Sequence, residues 1–507
     1  MGLRLIYGRA GTGKSEKCYK EISEKIKQNN KILIITPEQF SFTAEKKLME
    51  AIETEAVFNA EVVTFSRMAY RVIQEIGGRT ETNLSKCGKA MLIYSILNNC
   101  KKDLKFLGKT DENVDMAGTA ITEFKKHGIS VEQLKQETEK QSDIYLKNKL
   151  NDINMIYEKF QEQIAGKYID ETDLLTILAQ NVDKVPDFKD NLIYIDEFAG
   201  FTSQEYDIIQ KLVKIAKQVT ITICTDTIHE IKNADTDIFY SNQITINKLL
   251  QLASENDIKI EEVELEQTYR FKTPELKHLE QNLYNPKVKY FEQIPQNIKI
   301  FLAKNQYSEI EEVTKEIYKL VRDENYRYRD IAVITKNIDT YSSLARAIFD
   351  KYNIPIFIDE NRDLSQNILV QYVLSILEIF TKNWTEEAVL NYIKIGFSEI
   401  DEDDLFRLEK YCLKWGIKQN KWKKEFTYGN YEEKDKEEIA RLEEIRKQII
   451  EPLISLKNKL DENKTAEGIS RTIYNFLIEQ NIAEKIKQKQ EKLEEQGLID
   501  LSNEYQN

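Results

Sequence analysis

Eight consecutive residues near the amino terminus have the types and spacing of a phosphate-binding loop. Residues 8–15, GRAGTGKS, match the pattern G-x-x-x-x-G-K-[ST] in full. Glycines let such a loop turn so that its backbone N–H groups point at phosphate oxygens, and the following helix adds its dipole. A lysine supplies charge to the β- and γ-phosphates, and a serine ligates Mg²⁺. The predicted ATP-binding residues are Gly8, Arg9, Ala10, Gly11, Thr12, Gly13, Lys14 and Ser15, with Ser15 also a metal ligand.

A second candidate for chemistry is the pair of carboxylates that ends the apolar run LIYIDEF, residues 192–198. If this run is a strand of the same parallel sheet, the two acids lie at the edge that carries the phosphate-binding loop. Asp196 is then a candidate to hold Mg²⁺, and Glu197 to position or deprotonate the attacking water. Apolar strands that end in acids are common, so this assignment depends on the loop at residues 8–15.

Polar side chains at two other predicted strand ends are candidates for contacts with nucleotide or DNA. Gln39 follows one apolar run, and Phe65 and Arg67 follow the next. Ordinary loop hydrogen bonds, including a helix cap at Ser66, are the alternative interpretation. Further along, Arg270 could reach a γ-phosphate as an arginine finger does, and a surface ion pair is its alternative role.

The segment KWGIKQNKWKK, residues 414–424, contains five lysines and two tryptophans, and we call it the lysine–tryptophan segment. Lysines pair with phosphates and indole rings stack on bases, so Lys418 and Trp422 are candidate DNA contacts. A charged helix end with buried tryptophans is the alternative.

Composition limits the class of protein. The 507 residues include only 17 glycines and 7 prolines, with 31% charged side chains, which favours long helices over many short strands. The net charge of −13 argues against a uniformly basic surface, although a local basic groove stays possible. Five scattered cysteines and three histidines give no disulfide framework and no zinc spacing. Without a signal peptide or a long apolar run, we expect a cytoplasmic protein without a membrane span.

The order of apolar runs predicts an α/β fold whose parallel sheet is covered by helices. Buried strands are predicted at residues 3–7, 31–36, 61–65, 191–196 and 219–226, and a second group of strands at residues 297–303, 330–335 and 354–359. The predicted organisation has four parts: a first α/β domain over residues 1–65 and 187–290, a helical insertion over 66–186, the start of a second α/β domain over 291–363, and a helical insertion over 364–507 that looks truncated.

Seven motifs in order resemble the AddB family, the B subunits of bacterial helicase–nucleases that process DNA double-strand breaks. They are GRAGTGKS, TPEQFSF (36–42), VVTFSRMAY (62–70), YIDEFAGFTSQE (194–205), RYRDIAVITKN (327–337), PIFIDENRDL (355–364) and YCLKWGIKQNKW (411–422). The resemblance implies a superfamily 1 helicase-like fold with two RecA-like domains, each with a large helical insertion. It also implies a heterodimer with an AddA-like motor subunit, contacts with double- and single-stranded DNA, and recognition of the recombination hotspot Chi.

Members of this family also carry a carboxyl-terminal 5′→3′ exonuclease domain with a 4Fe–4S cluster. Such proteins are about twice as long as this sequence, and its five cysteines lack the close spacing of the cluster ligands. The resemblance therefore places the exonuclease and the cluster in a parent protein. Motor helicases of the superfamily carry glutamine where Ala199 stands, and a further coupling glutamine that Thr225-Asp226-Thr227 lacks, so turnover here is expected to be slow or uncoupled.

Three other functions remain open at this point. An autonomous superfamily 1 helicase would separate strands by itself, which the missing coupling glutamine disfavours. A P-loop kinase of a small molecule would need no DNA, and the length of the helical insertions disfavours it. A structural subunit with a vestigial loop would be indifferent to the loss of Lys14. We expect an ATP-binding, DNA-binding subunit of a heterodimeric helicase–exonuclease.

Overall fold

The fold is described from a computed structural model. It describes residues 2–52, 59–77, 81–107, 113–229, 237–285, 287–360, 364–429, 433–463, 465–498 and 502. Residues 361–363 of the PIFIDENRDL motif lie outside this set. The chain divides into two units, Met1–Phe301 and Leu302–Asn507. The boundaries expected at residues 66, 187, 291 and 364 stay predictions.

Within the described part of the first unit, eight strands form two sheets. They are β1 (Gly2–Gly8), β2 (Ile32–Ile35), β3 (Ala60–Val63), β4 (Thr82–Asn83), β5 (Tyr168–Ile169), β6 (Leu192–Ile195), β7 (Gln218–Cys224) and β8 (Lys259–Glu264). Six of them form one sheet in the order β3-β2-β6-β7-β1-β8, and every neighbouring pair is parallel. This α/β architecture is compatible with a RecA-like fold. The two-residue strands β4 and β5 pair with each other.

The central strands form because their sequences are short, apolar and rich in isoleucine. β2 and β6 are buried at every position, as expected for strands covered on both faces by helices. The edge strand β8, KIEEVE, was missed in the sequence because three glutamates interrupt it. Beside β1, only Ile260 and Val263 of this strand are half-buried, and its other four residues are exposed.

The helices of the first unit cover the sheet and form the segment between β3 and β6. They are α1 (Lys14–Lys27), α2 (Ser41–Ile52), α3 (Phe65–Ile76), α4 (Lys86–Asn99), α5 (Asn113–Lys126), α6 (Val131–Glu139), α7 (Ile144–Ile164), α8 (Glu171–Asn181), α9 (Ser203–Ile215), α10 (Tyr240–Glu255) and α11 (Pro274–Asn282). Helices predominate over residues 66–186, with β4 and β5 as the only strands there among the described residues. Helices α4–α7 form a core of their own around Phe160, Ile156 and Ile121.

The described part of the second unit is helical. Its helices are α12 (Gln306–Asp323), α13 (Ile338–Lys351), α14 (Ile368–Thr381), α15 (Glu386–Lys394), α16 (Glu402–Trp415), α17 (Glu433–Glu462), α18 (Ala466–Glu479) and α19 (Ile482–Glu495). A small core between α12 and α13 contains Ile317 and Phe349, and a larger one joins α14–α19. No helix in the described ranges of either unit is both long and apolar enough to cross a membrane.

The strands predicted at 297–303, 330–335 and 354–359 are absent from the structure, although these residues are described. Leu302 is 100% exposed, and Ile300, Ile334 and Phe357 are nearly as open. The prediction was wrong because an apolar run gives only the tendency to form a strand. A strand also needs a neighbour whose N–H and C=O groups pair with its own, and here none of the described residues provides one.

Candidate nucleotide-binding site

The candidate site lies where the parallel strands end, at what we call the carboxyl edge of the six-stranded sheet. The candidate phosphate-binding loop, residues 8–15, begins at the end of β1, and Asp196 and Glu197 follow β6. A single strand, β7, separates β1 from β6. The expectation that the loop and the two acids share one edge is therefore confirmed, and this edge is where α/β sheets bind ligands.

The glycines of the loop are required by close approach and by backbone conformation. A Cβ at Gly8 would lie 2.4 Å from the carbonyl oxygen of Leu265. Gly11 has φ +76°, and a Cβ there would lie 2.6 Å from the Cβ of Arg270. Gly13 is also left-handed and precedes α1, so the amino terminus of that helix opens directly onto the loop.

Lys14 is held within the loop. Its Nζ donates hydrogen bonds of 2.9 Å to the carbonyl oxygens of Gly8 and Arg9. Burial lowers the pKa of Lys14 below 10.5, the ordinary value for lysine, while negative charge at Asp196 and Glu197 acts in the opposite direction. A partly buried ammonium with only carbonyl partners favours an anion, because phosphate oxygens would satisfy its charge better than neutral acceptors do.

The chemistry around Asp196 fits a hydrated Mg²⁺ ion. Its side chain is almost fully buried, and Oδ1 accepts a hydrogen bond from Thr222 on the neighbouring strand β7. Oδ2 is buried and has no hydrogen-bond partner among the described residues, and neither has the hydroxyl of Thr36, which follows the adjacent strand β2. Two orphaned polar atoms at neighbouring strand ends are satisfied if an ion with its waters is held there. In the described part of the chain, no group of three His, Cys, Asp or Glu side chains could hold a metal by itself.

Glu197 adopts an unusual backbone conformation and forms one ion pair. Its φ of +67° is left-handed, which costs a residue with a Cβ roughly 1–2 kcal/mol. The Oε1 atom lies 3.2 Å from Nζ of Lys47, which is on α2. Sequence reasoning missed Lys47 because 150 residues separate the two partners.

The segment that follows β8 lies against the loop. The backbone N–H groups of Tyr269 and Arg270 donate to the carbonyl oxygen of Gly11, at 2.8 and 3.3 Å. The ring of Tyr269 faces Gly13 and is largely exposed, so it offers an aromatic surface beside the loop. The charge of Arg270 lowers the pKa of Lys14 further. The structure therefore places Arg270 beside the loop, and its contact with a γ-phosphate stays a prediction.

Arg9 is the most heavily engaged side chain of the loop, a role that the sequence did not indicate. Its Nε lies 3.1 Å from Oε1 of Glu280 on α11, and Nη2 donates to the carbonyl oxygen of Glu280 at 2.9 Å. The guanidinium also lies 3.7 Å from Asp226 and 5.0 Å from the ring centroid of Phe239. Arg9 thus connects the loop to α11 and to the end of β7.

The DNA-contact candidates of the first unit differ in exposure. Gln39 and Arg67 are exposed at the ends that follow β2 and β3. Nη1 of Arg67 lies 3.4 Å from Glu45 on α2. Phe65 is only 5% exposed and packs against Phe198, so little of its ring is open to a base. We therefore keep Gln39 and Arg67 as candidates and regard Phe65 as a core residue.

The lysine–tryptophan segment uses its two tryptophans in different ways. Trp422 is 0% exposed and belongs to the core of α14–α19, so its DNA contact is not supported and its ring serves packing. Trp415 is half-buried and stacks on Tyr428, with ring centroids 5.7 Å apart. Lys418 is exposed and stays a candidate. Lysines flank both the buried and the half-buried tryptophan, so the composition alone could not tell a tryptophan that packs in the core from one that is open to a ligand.

Comparison with known proteins identifies the family. A family model described as the amino-terminal region of AddB matches residues 5–280. The chain belongs to the AddB family. Proteins named as B subunits of ATP-dependent helicase/deoxyribonucleases from Clostridium tetani, Clostridium novyi and a Thermoanaerobacter species are 40%, 37% and 37% identical to it. These matches cover all of this chain and 46%, 45% and 45% of the respective AddB relatives. The chain thus spans slightly less than half the length of the curated relatives it matches.

Proposed function

We propose that this chain is the ATP-binding and DNA-binding part of a helicase–deoxyribonuclease subunit that works with an AddA-like motor partner. The parent complex would resect double-strand breaks for recombinational repair and respond to Chi. The observation that carries the proposal is the arrangement of Lys14 and Asp196 around a glycine-built loop at the carboxyl edge. The printed names of the relatives add the association with helicase and nuclease activity.

Each residue of the site has a role that follows from its position. Lys14 would exchange its two carbonyl partners for β- and γ-phosphate oxygens, and the amino terminus of α1 would add backbone N–H donors. Ser15 and Asp196 would hold Mg²⁺, which supplies charge neutralisation at the phosphates. Arg270 would stabilise negative charge on the γ-phosphate, and the exposed ring of Tyr269 would stack on the base of the nucleotide.

DNA binding is proposed for the exposed cations and amides near the strand ends and in the second unit. Arg67 and Lys418 would pair with phosphates, and Gln39 would donate to backbone or base acceptors. Such contacts position the strand without requiring net positive charge on the whole chain, whose formal charge is −13.

The test is a titration of the purified chain with Mg·ATP, with and without single-stranded DNA, that measures binding and phosphate release together. Lys14→Ala should weaken ATP binding about ten- to a hundred-fold, because it removes charge-assisted hydrogen bonds to phosphate. Lys17→Ala is the matched control, since Lys17 lies on the same helix but pairs with Glu21.

Two results would contradict the proposal. Equal ATP affinity in Lys14→Ala and the unaltered chain would identify a vestigial loop in a structural subunit. Strand separation by the chain alone, with strong DNA-stimulated phosphate release, would instead identify an autonomous helicase.

A further inference from the structure

The backbone at Glu197 is strained, and the neighbouring strands hold it in that conformation. A φ of +67° is adopted by few residues other than glycine, asparagine and aspartate. Glu197 directly follows the almost fully buried Asp196, whose N–H donates to the carbonyl oxygen of Ile35 at 3.1 Å. The sheet therefore fixes the backbone at this point. The Glu197 side chain, 34% exposed, extends from this fixed point.

An ion pair with Lys47 holds that carboxylate. Lys47 extends from α2 and donates to Oε1 of Glu197 at 3.2 Å. Its neighbour Lys46 instead lies 3.9 Å from Glu50 of the same helix, which is an ordinary surface pair. Lys47 is therefore the lysine of α2 that reaches the carboxyl edge, and it reaches the acid expected to act on the attacking water.

An acid that orients or deprotonates water must have an oxygen within hydrogen-bond reach of that water. The pair with Lys47 occupies Oε1 and draws the carboxylate toward α2. The negative charge of Glu197 also raises the pKa of Lys14, which opposes the effect of burial. Replacing Lys47 removes its attraction and changes the position that the Glu197 carboxylate prefers.

We propose that Lys47 is a positioning residue that holds Glu197 in a resting orientation and thereby restrains ATP hydrolysis at the phosphate-binding loop. This inference rests on the proposed function, because it requires bound ATP. In the restrained reaction a water oxygen bonds to the γ-phosphorus, the bond to the β,γ-bridging oxygen breaks, and ADP leaves with that electron pair. The proton of the water passes to the carboxylate of Glu197.

The experiment compares the full chain with Lys47→Ala, Lys47→Gln and Lys47→Arg, with Lys46→Ala as the matched control on the same helix. Mg·ATP affinity and steady-state phosphate release are measured for each variant, so that kcat and KM separate. We expect Lys47→Ala and Lys47→Gln to raise kcat about two- to five-fold, the range that loss of a partly exposed ion pair supports. KM and ATP affinity should not change, and Lys47→Arg and Lys46→Ala should match the unaltered chain.

A second comparison ties the gain to Glu197. Adding Glu197→Gln to Lys47→Ala should remove the rise in kcat while ATP affinity stays the same. A gain that survives in the double variant would overturn the proposal, because Lys47 would then act through another group.

The remaining outcomes are also decisive. If ATP binds but Lys47→Ala releases phosphate no faster than the unaltered chain, Lys47 does not restrain Glu197. The same conclusion follows if neither protein releases phosphate. A fall in kcat would assign Lys47 the opposite role and overturn the proposal as well. Failure of the unaltered chain to bind Mg·ATP is a different result, since it refutes the proposed function itself and this inference with it.

Discussion

The sequences at the carboxyl edge of the first unit and in the lysine–tryptophan segment of the second both predict ligand binding. They differ in the feature on which the prediction rests, which is backbone geometry at the edge and composition in the segment. At the edge, glycines with fixed conformations dictate the path of the backbone, and the path places Lys14. In the segment, lysines and tryptophans are only a composition, and the fold buries Trp422 while it leaves Lys418 exposed. A motif that specifies backbone geometry predicts position, whereas a composition does not.

The largest effect expected from this comparison is on stability. Trp422→Ala should lower the free energy of unfolding of the second unit by about 3–5 kcal/mol, because it opens a cavity in the core. Chemical denaturation followed by circular dichroism measures this loss. Trp422→Phe is the control: it keeps most of the volume and removes an indole N–H that has no partner among the described residues, so its cost should be less than half as large. A free energy of unfolding that Trp422→Ala leaves almost unchanged would contradict the burial of this ring.

The next effect is on nucleotide affinity. Gly11→Ala should weaken Mg·ATP binding about 5- to 30-fold, because a left-handed conformation costs a residue with a Cβ about 1–2 kcal/mol and a tenfold change corresponds to about 1.4 kcal/mol. Gly77→Ala provides the matched control, since Gly77 has φ +64° but a Cβ there would meet nothing within 4 Å. The control should lose stability and keep ATP affinity. Equal effects of both changes on binding would mean that strain alone, and not the loop, is being measured.

A smaller effect concerns pH. Since burial lowers the pKa of Lys14, its ammonium begins to lose its proton at a pH below 10.5. Phosphate prefers the charged form, so ATP affinity should fall as pH rises through this lowered value, by at most about tenfold per unit. Titrations at several alkaline pH values measure it. Asp196→Asn removes a charge that raises this pKa and should move the decline to lower pH. A decline that begins only above 10.5 would contradict the assignment.

The smallest effect is on DNA binding. Arg67→Ala and Lys418→Ala should each weaken binding of single-stranded DNA slightly and reduce the dependence of log affinity on log salt by about 0.7, the value for one phosphate contact. Arg471→Ala changes the charge equally at an exposed residue that pairs with Glu467, and it should leave the slope unchanged. An unchanged slope for Lys418→Ala would remove the second unit from the proposed DNA path.

The sequence predicted those parts of the fold in which a local pattern and the tertiary structure agree. Strands β1, β2 and β6 were found because continuous apolar runs suit positions buried on both faces. The glutamates of β8 concealed it, since an edge strand needs only one partner and tolerates charge. The strands predicted near Ile300 and Ile334 are absent, because an apolar segment without a neighbouring strand to pair with does not form a strand.

For the candidate site, the sequence predicted what backbone geometry determines and missed what long-range contacts add. The loop and Asp196 could be placed at one edge because both follow strands of a predicted parallel sheet. The pairs of Lys47 with Glu197 and of Arg9 with Glu280 join residues 150 and 271 positions apart. No local spacing signals such pairs, because only the folded sheet brings their elements together.

The charges on the edge strand β8 affect whether another strand can pair with it. Among the described strands it has β1 on one side only, so its outer backbone groups are a template for pairing with another chain. Glu261, Glu262 and Glu264 place carboxylates on this strand, of which Glu261 pairs with Arg4 and Glu262 lies 3.1 Å from His229. Charged side chains on an edge strand disfavour pairing with a further strand, so the residues that hid β8 in the sequence belong to the type that discourages edge-to-edge association.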